Sequence, residues 1–150
     1  MEKINIEQLF IDAKGGPIEV NGRKLISLDK FKMPQKKMSL KFNFLEIDSK
    51  WKQGFVIKTK GSFSIDEQEE IKNAIVLWED TAPKEGSVEI KSVDGLIVIY
   101  NVWDVGDGVT QAWHNGAAME VKIDSSTRTY YCNDGYPDLD FNDLVFRISW

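Results

Sequence analysis

Apolar and polar residues alternate with a period of two through much of this chain, the pattern of strands that bury one face. Gly86-Ser87-Val88-Glu89-Ile90-Lys91-Ser92-Val93 alternates cleanly, and Asp94-Gly95 then signals a hairpin turn. The following run, Leu96 to Trp103, is apolar at nearly every position and predicts a strand covered on both faces. Ala118–Ile123 and Thr127–Cys132 flank the turn Asp124-Ser125-Ser126, and Leu144–Trp150 closes the chain as a last strand. About five strands are therefore expected from residue 86 onward. In the first half, Ile18–Val20 and Lys24–Leu28 flank Asn21-Gly22, the strongest short hairpin signal. Leu40–Ile47 and Gly54–Thr59 also alternate.

Two stretches depart from this rhythm. Ser64-Ile65-Asp66-Glu67 has the form of a capping box and predicts a short helix through about Asn73, after which Ala74–Trp78 reads as strand. A second short helix is expected around Ile6–Asp12. Short strands with turn signals every 8–12 residues predict an all-β fold: a β-sandwich of about 8–10 antiparallel strands with one or two short helices. No repeat or linker divides the 150 residues, so one domain spanning 1–150 is expected.

Composition narrows the function classes. A hydrophobic share of 42% with 11% aromatics argues against disorder, and a formal charge of −5 leaves no electrostatic footprint for nucleic acid. The basic stretch Lys30–Lys37 lacks the length and the amphipathic face of a membrane anchor and reads as a solvated loop. No apolar run approaches the roughly 20 residues a membrane helix needs, so no membrane insertion is expected. Met1–Asn5 runs into a mixed polar segment, which predicts no signal peptide and a cytoplasmic protein, or one released by another route. Cys132, the single cysteine, excludes an internal disulfide and reads as a small strand residue beside a turn. His114, the single histidine, reads as a hydrogen-bonded structural residue.

The chemistry concentrates near the end. Cys132 to Asp143 packs four carboxylates and two carboxamides into one turn-rich loop. Each pair of like charges a few Å apart costs on the order of 1–4 kcal/mol at solvated dielectrics, so the loop either stays splayed in water or holds a cation. Residues two apart in an alternating loop point the same way, so Asp138, Asp140 and Asn142 can converge on one centre. Asp143 adds an oxygen, and Asp134 or Asn133 can close the far side. Hard divalent cations take six to eight oxygens of this kind, which makes Ca2+ (one or two ions) the expected cofactor. An EF-hand is excluded, because Asp143 stands where that loop needs Gly and Ser149 where it needs Glu.

Gly135-Tyr136-Pro137-Asp138-Leu139-Asp140-Phe141-Asn142-Asp143-Leu144-Val145, with the closing Ile148-Ser149-Trp150, resembles the calcium loop of the small bacterial fucose- and mannose-binding lectins. In that family an Asp-x-Asp-aromatic-Asn-Asp loop precedes the last strand of a β-sandwich. It holds two adjacent calcium ions that vicinal sugar hydroxyls coordinate. The resemblance, confined to about 20 residues, implies that Asp138, Asp140, Asn142 and Asp143 are metal ligands. Asp134 matches the family's earlier acid, one residue out of step. An additional asparagine ligand would come from an early loop, for which Asn21 and Asn43 are the candidates. The lectins continue past the tryptophan to a terminal glycine, whereas this sequence closes at Trp150. The resemblance therefore carries calcium further than sugar, and it leaves a homo-oligomer open.

A second acidic loop, Asn101 to Gly108, is followed by Trp113-His114-Asn115-Gly116. If its strand lies beside the terminal one, Asp104, Asp107 and Asn115 would flank the metal loop, and Trp103 or Trp113 could stack on a sugar face. The plainer reading makes the tryptophans core and the Asp-Gly pairs turns. No P-loop, dinucleotide fingerprint, zinc pattern or nucleophile elbow is present, so no enzyme and no catalytic residue are expected. Glu79 and Asp80 beside Trp78 are the one carboxylate pair a hydrolase might use, and nothing in their spacing is diagnostic. The expectation is a calcium-dependent carbohydrate-binding module. The alternative is a protein-interaction or toxin-associated module in which calcium is purely structural.

Overall fold

The computed structural model describes residues 5–65, 70–113, 117–134 and 141–150. The chain opens with the expected helix, α1 (Ile6–Asp12), whose first turn is capped by the Asn5 side chain accepting from Gln8 N–H at 2.9 Å. Ile6 and Phe10, four residues apart and so on one face, are its buried positions. No described helix is long and apolar enough to cross a membrane. Strands β1 (Ile18–Val20) and β2 (Arg23–Leu25) form the hairpin signalled by Asn21-Gly22, both residues at positive φ (52° and 79°), as a type I′ turn requires.

The remaining strands are β3 (Asp29–Lys32), β4 (Lys37–Ile47), β5 (Lys52–Ser64), β6 (Ile71–Trp78), β7 (Glu85–Asp104), β8 (Ala118–Asp124), β9 (Thr127–Asn133) and β10 (Leu144–Ser149). They form one antiparallel sheet in the order β6-β5-β7-β4-β10-β9-β8, with β3 also pairing with β7. The sheet closes over itself into a sandwich-like all-β fold. Phe55 of β5 stacks on Phe146 of β10 at 4.0 Å although three strand boundaries separate them, and Tyr130 of β9 continues the stack at 4.7 Å. These rings are fully buried in the main core, and each contributes on the order of 1.5–3 kcal/mol by leaving water.

The bend that allows this closure overturns one expectation. Asp94-Gly95 does not reverse the chain; it is a bulge inside the 20-residue strand β7. On one edge β7 stays paired with β5 on both sides of the bulge, the register shifting between Thr59↔Ile97 and Gly61↔Ser92. On the other edge it pairs with β4 through residues 85–91 and with β3 through 96–99. Gly95 supplies the positive φ (78°), and its N–H donates to Ser92 Oγ at 2.9 Å. Thr59 Oγ1 lies 2.7 Å from that Ser92 Oγ and donates to the Leu96 carbonyl at 2.8 Å. An Asp-Gly pair satisfies a bulge and a tight turn equally well; continuous pairing with β5 decides between them. From residue 86 onward the chain thus has β7 to β10 in place of five strands.

Two further expectations change. The stretch Lys30–Lys37 is not a free loop, because Lys30 to Lys32 lie in β3 and Phe31 and Met33 are buried in the main core (7% and 3% exposed). Ser64 closes β5 and Ile71 to Asn73 open β6, so no helix runs through Asn73; Glu67 lies outside the described residues. Ala74–Trp78 is strand, as expected.

A smaller core lies between α1, the β1–β2 hairpin and the sheet, made of Ile6, Phe10, Val20, Leu25, Ala118 and Phe141. It matters for function because Phe141 belongs to the carboxylate loop.

Candidate functional site

The two ends of the carboxylate loop are held by pairing of β9 with β10, where Cys132 faces Leu144. Just beyond this pair, the loop's polar side chains turn inward. Asn133 Oδ1 accepts from Phe141 N–H (2.8 Å), and Asp143 Oδ2 accepts from Asp134 N–H (3.0 Å), so each end grips the other. Phe141 adopts a positive φ of 56°, a conformation costly for a residue with a Cβ. Its ring is buried beneath the Arg23 guanidinium at 4.2 Å, which is itself fixed by Glu120 at 3.0 Å. Hydrogen bonding to Arg23 holds the Glu120 carboxyl below its usual range, against the opposing effect of burial.

The rest of the site comes from distant parts of the chain. Asp134 is fully buried, and its Oδ2 accepts from Ser49 Oγ–H (2.6 Å) and Gln53 Nε2–H (2.9 Å). Asn101 of β7 donates to the Asn133 carbonyl at 2.8 Å, and Asp48 N–H donates to the Asp143 carbonyl at 3.1 Å. Asn142 Nδ2 donates to Asp48 Oδ2 at 3.2 Å. Ser49, Gln53, Asn101 and Asp48 were not legible as site residues. They sit in the β4–β5 connection and in strands, and only the fold brings them together.

Asp134 and Asp143 (0% and 3% exposed) are thus both buried at the base of the loop, with the Asp143 carboxylate against the Asp134 backbone N–H. Two carboxamide oxygens, Asn142 Oδ1 and Gln53 Oε1, are buried without a hydrogen-bond partner among the described residues. The Gln53 oxygen belongs to the same carboxamide that donates to Asp134. An unpaired buried carbonyl costs about 1–3 kcal/mol, and adjacent buried charges cost more. This all-oxygen donor set fits a hard cation such as calcium better than it fits zinc. Among the described residues, however, no three Asp, Glu, His or Cys side chains stand close enough together to hold a metal. Asp138 and Asp140, the central acids of the expected ligand set, lie outside the described residues, as do His114 and Asn115.

Burial, and secondarily the nearby charge of Asp143, pushes the Cys132 thiol well above its ordinary pKa. It is fully buried and packs in the main core.

The second acidic loop lies at the same end of the fold, since Asp104 pairs with Lys52 beside Gln53. Its carboxylates serve their own loop. Asp104 Oδ1 accepts from Gly106 N–H (2.8 Å) and Gly108 N–H (3.2 Å), and Asp107 Oδ1 accepts from Val109 N–H (3.0 Å). Trp103 is 2% exposed and closed to any ligand. Trp113 is 46% exposed, packs on Tyr100 at 4.5 Å and donates Nε1–H to the Ser27 carbonyl, leaving half its ring available. Of the two early asparagines, Asn21 forms the hairpin turn and Asn43 bonds Glu85 on the outer face of β4.

The remaining acid pair divides. Burial, then the charge of Asp80, raises the Glu79 carboxyl, and Glu79 Oε2 is buried without a partner among the described residues, in a pocket of about 340 Å³ shared with Glu46. Asp80 is half exposed and turns to Lys52 Nζ at 3.5 Å.

Comparison with protein-family models, with curated proteins and with solved structures finds no match to this chain.

Proposed function

We propose that this protein is a non-catalytic β-sandwich module that binds calcium through the 134–143 loop and uses the bound ion or ions to recognise a carbohydrate of the fucose or mannose type. One observation carries the metal half: the base of the loop buries both Asp134 and Asp143, and among the described residues Asn142 Oδ1 and Gln53 Oε1 have no hydrogen-bond partner. A cation coordinated by Asp134, Asp138, Asp140, Asn142 and Asp143 would offset the negative charge and satisfy the stranded Asn142 oxygen. Open coordination positions would then accept vicinal hydroxyls, with the half-exposed Trp113 ring at hand for the apolar face of a sugar. The resemblance of residues 135–150 to the calcium-dependent lectins supports the sugar half.

A second reading rests on the burial itself. Asp134 and Asp143 are tied into the strands and cannot face an external ligand, so calcium could serve only to pin β10, the module's partner being a protein.

Calorimetric titration with Ca2+ separates these readings from a metal-free loop. The wild type is expected to bind and Asp140→Asn to lose binding. At a free concentration a hundred times the Kd, calcium would add about 2.7 kcal/mol of stability. A glycan array that responds with calcium and falls silent with chelator supports the lectin reading. A silent array with calcium bound supports the structural one, and the absence of any calcium heat removes both.

A further inference from the structure

We propose a second binding site, on the outer face of β7, β4 and β10, for a saccharide that carries carboxylate groups. It is separate from the calcium loop and independent of it. The alternation of these strands places six polar side chains on one surface, and the register aligns them in two rungs. Glu85, Asn43 and Arg147 form one rung, and Ser87, Lys41 and Ser149 form the other. Adjacent strands are spaced roughly 4.8 Å and the two rungs roughly 6.8 Å apart, so the six groups cover the footprint of one or two sugar rings. Together they line a groove of about 680 Å³.

The groove is chemically incomplete. Asn43 donates through Nδ2 to Glu85 Oε1 at 3.3 Å, while its Oδ1 is buried and has no partner among the described residues. Arg147 uses Nε on Thr129 Oγ1 (3.1 Å), and neither its terminal nitrogens nor Lys41 Nζ has an ion-pair partner among the described residues. In a chain of net charge −5, Arg147 and Lys41 set two positive charges on diagonal positions of one polar surface. Ring hydroxyls both donate and accept, so they suit Asn43 Oδ1, the Glu85 carboxylate and the serine hydroxyls. A carboxylate suits Arg147 and Lys41. A peptide adding as a strand is excluded here, since β4 is paired on both edges, with β7 and with β10. A long polyanion such as nucleic acid would be repelled by the protein's overall charge.

The test is titration of the full chain with trigalacturonate in EDTA at low salt, followed by calorimetry or NMR. Saturable binding is expected, weakening at least tenfold in Arg147→Gln, in Lys41→Gln and in Asn43→Leu, and weakening with added salt. The uncharged analogue, galactotriose, should bind at least tenfold more weakly. Asp140→Asn should bind trigalacturonate like the wild type, which keeps failure of the calcium reading distinct from failure of this one. Absence of binding at millimolar ligand overturns the proposal. So does unchanged affinity in Arg147→Gln and Lys41→Gln, exposed positions whose replacement leaves the fold intact by circular dichroism.

Discussion

Two acidic loops meet at the same end of this sandwich, and they treat their carboxylates in opposite ways. In the loop after β7, Asp104 and Asp107 face water and accept backbone N–H groups no more than four residues away. In the loop after β9, Asp134 and Asp143 are buried, and Asp134 accepts from Ser49 and Gln53, more than 80 positions distant in sequence. The residue types are the same and the sequence contexts are similarly turn-like. What differs is the anchoring. Asn133, Phe141 and Asp143 bind the second loop to itself and to the smaller core, which draws its acids inward, whereas the first loop is closed by the backbone bridge between Trp103 and Gln111 and its acids cap its own exposed turn. Acidic composition marks where a cation could go, but burial with stranded oxygens marks where one is wanted.

The largest expected effect follows from removing the buried acid. Asp134→Ala leaves the Ser49 hydroxyl and the Gln53 amide without their acceptor in a dry environment. The expected loss is about 3 kcal/mol, equivalent to a fall of roughly 6–12 °C in Tm for a chain of this size. Relief of repulsion with Asp143 works the other way. Asp134→Asn isolates it, keeping an acceptor oxygen while deleting the charge. Measured in EDTA, Asp134→Asn should stay within about 1 kcal/mol of the wild type while losing the stabilisation by calcium. A costly Asn variant in EDTA would mean that the charge is satisfied by the protein alone and that no cation is needed.

That contrast could not have been drawn from sequence. The helix Ile6–Asp12 and the Asn21-Gly22 hairpin were legible because capping and positive-φ demands are local. The β8–β9 hairpin was legible for the same reason, with Ser125 at φ 53° in its turn. Asp94-Gly95 was misleading because its local requirement, a positive φ at Gly95, is common to a turn and a bulge; the partner strand that chooses between them begins more than thirty residues earlier. The capping-box pattern at Ser64 failed for a similar reason, since pairing of β5 with β7 extends through Ser64 and outweighs a weak helical signal. For the site, alternation pointed to Asp138, Asp140 and Asn142, of which Asn142 alone lies among the described residues, with Asp143 and Asp134 beside them, while Ser49 and Gln53 carried no mark. A serine after an aspartate and a glutamine at a strand start become donors to a buried carboxylate only when β5 is laid beside β7.

A smaller effect sharpens the anchoring argument. Glu120 positions Arg23 over the Phe141 ring, and its folded pKa is lowered relative to an ordinary carboxylate. A depressed acid stabilises the fold above its unfolded pKa, near 4.3, and that contribution vanishes as the pH drops through the folded value. The wild type should therefore exceed Glu120→Gln in Tm at pH 7, by no more than the roughly 1 kcal/mol of a part-exposed bridge. The gap should close as the pH falls below about 4.3 and through the lower folded value. A gap that widens on acidification would show that Glu120 is not the charge that holds Arg23.

The smallest effect is the control on which the comparison turns. Asp104→Ala removes the acceptor for Gly106 and Gly108 N–H groups, but that loop is exposed and water replaces the lost bonds. The cost should stay below about 1 kcal/mol, with calcium affinity unchanged. Two acids of one type, one strand end apart, would then differ in stability by a factor of more than ten in equilibrium constant, and the difference would belong to burial alone. If Asp104→Ala instead weakens calcium binding tenfold, the exposed loop is part of the metal site. Its turn geometry would then be the resting arrangement of a ligand, and the division between the two loops would fall.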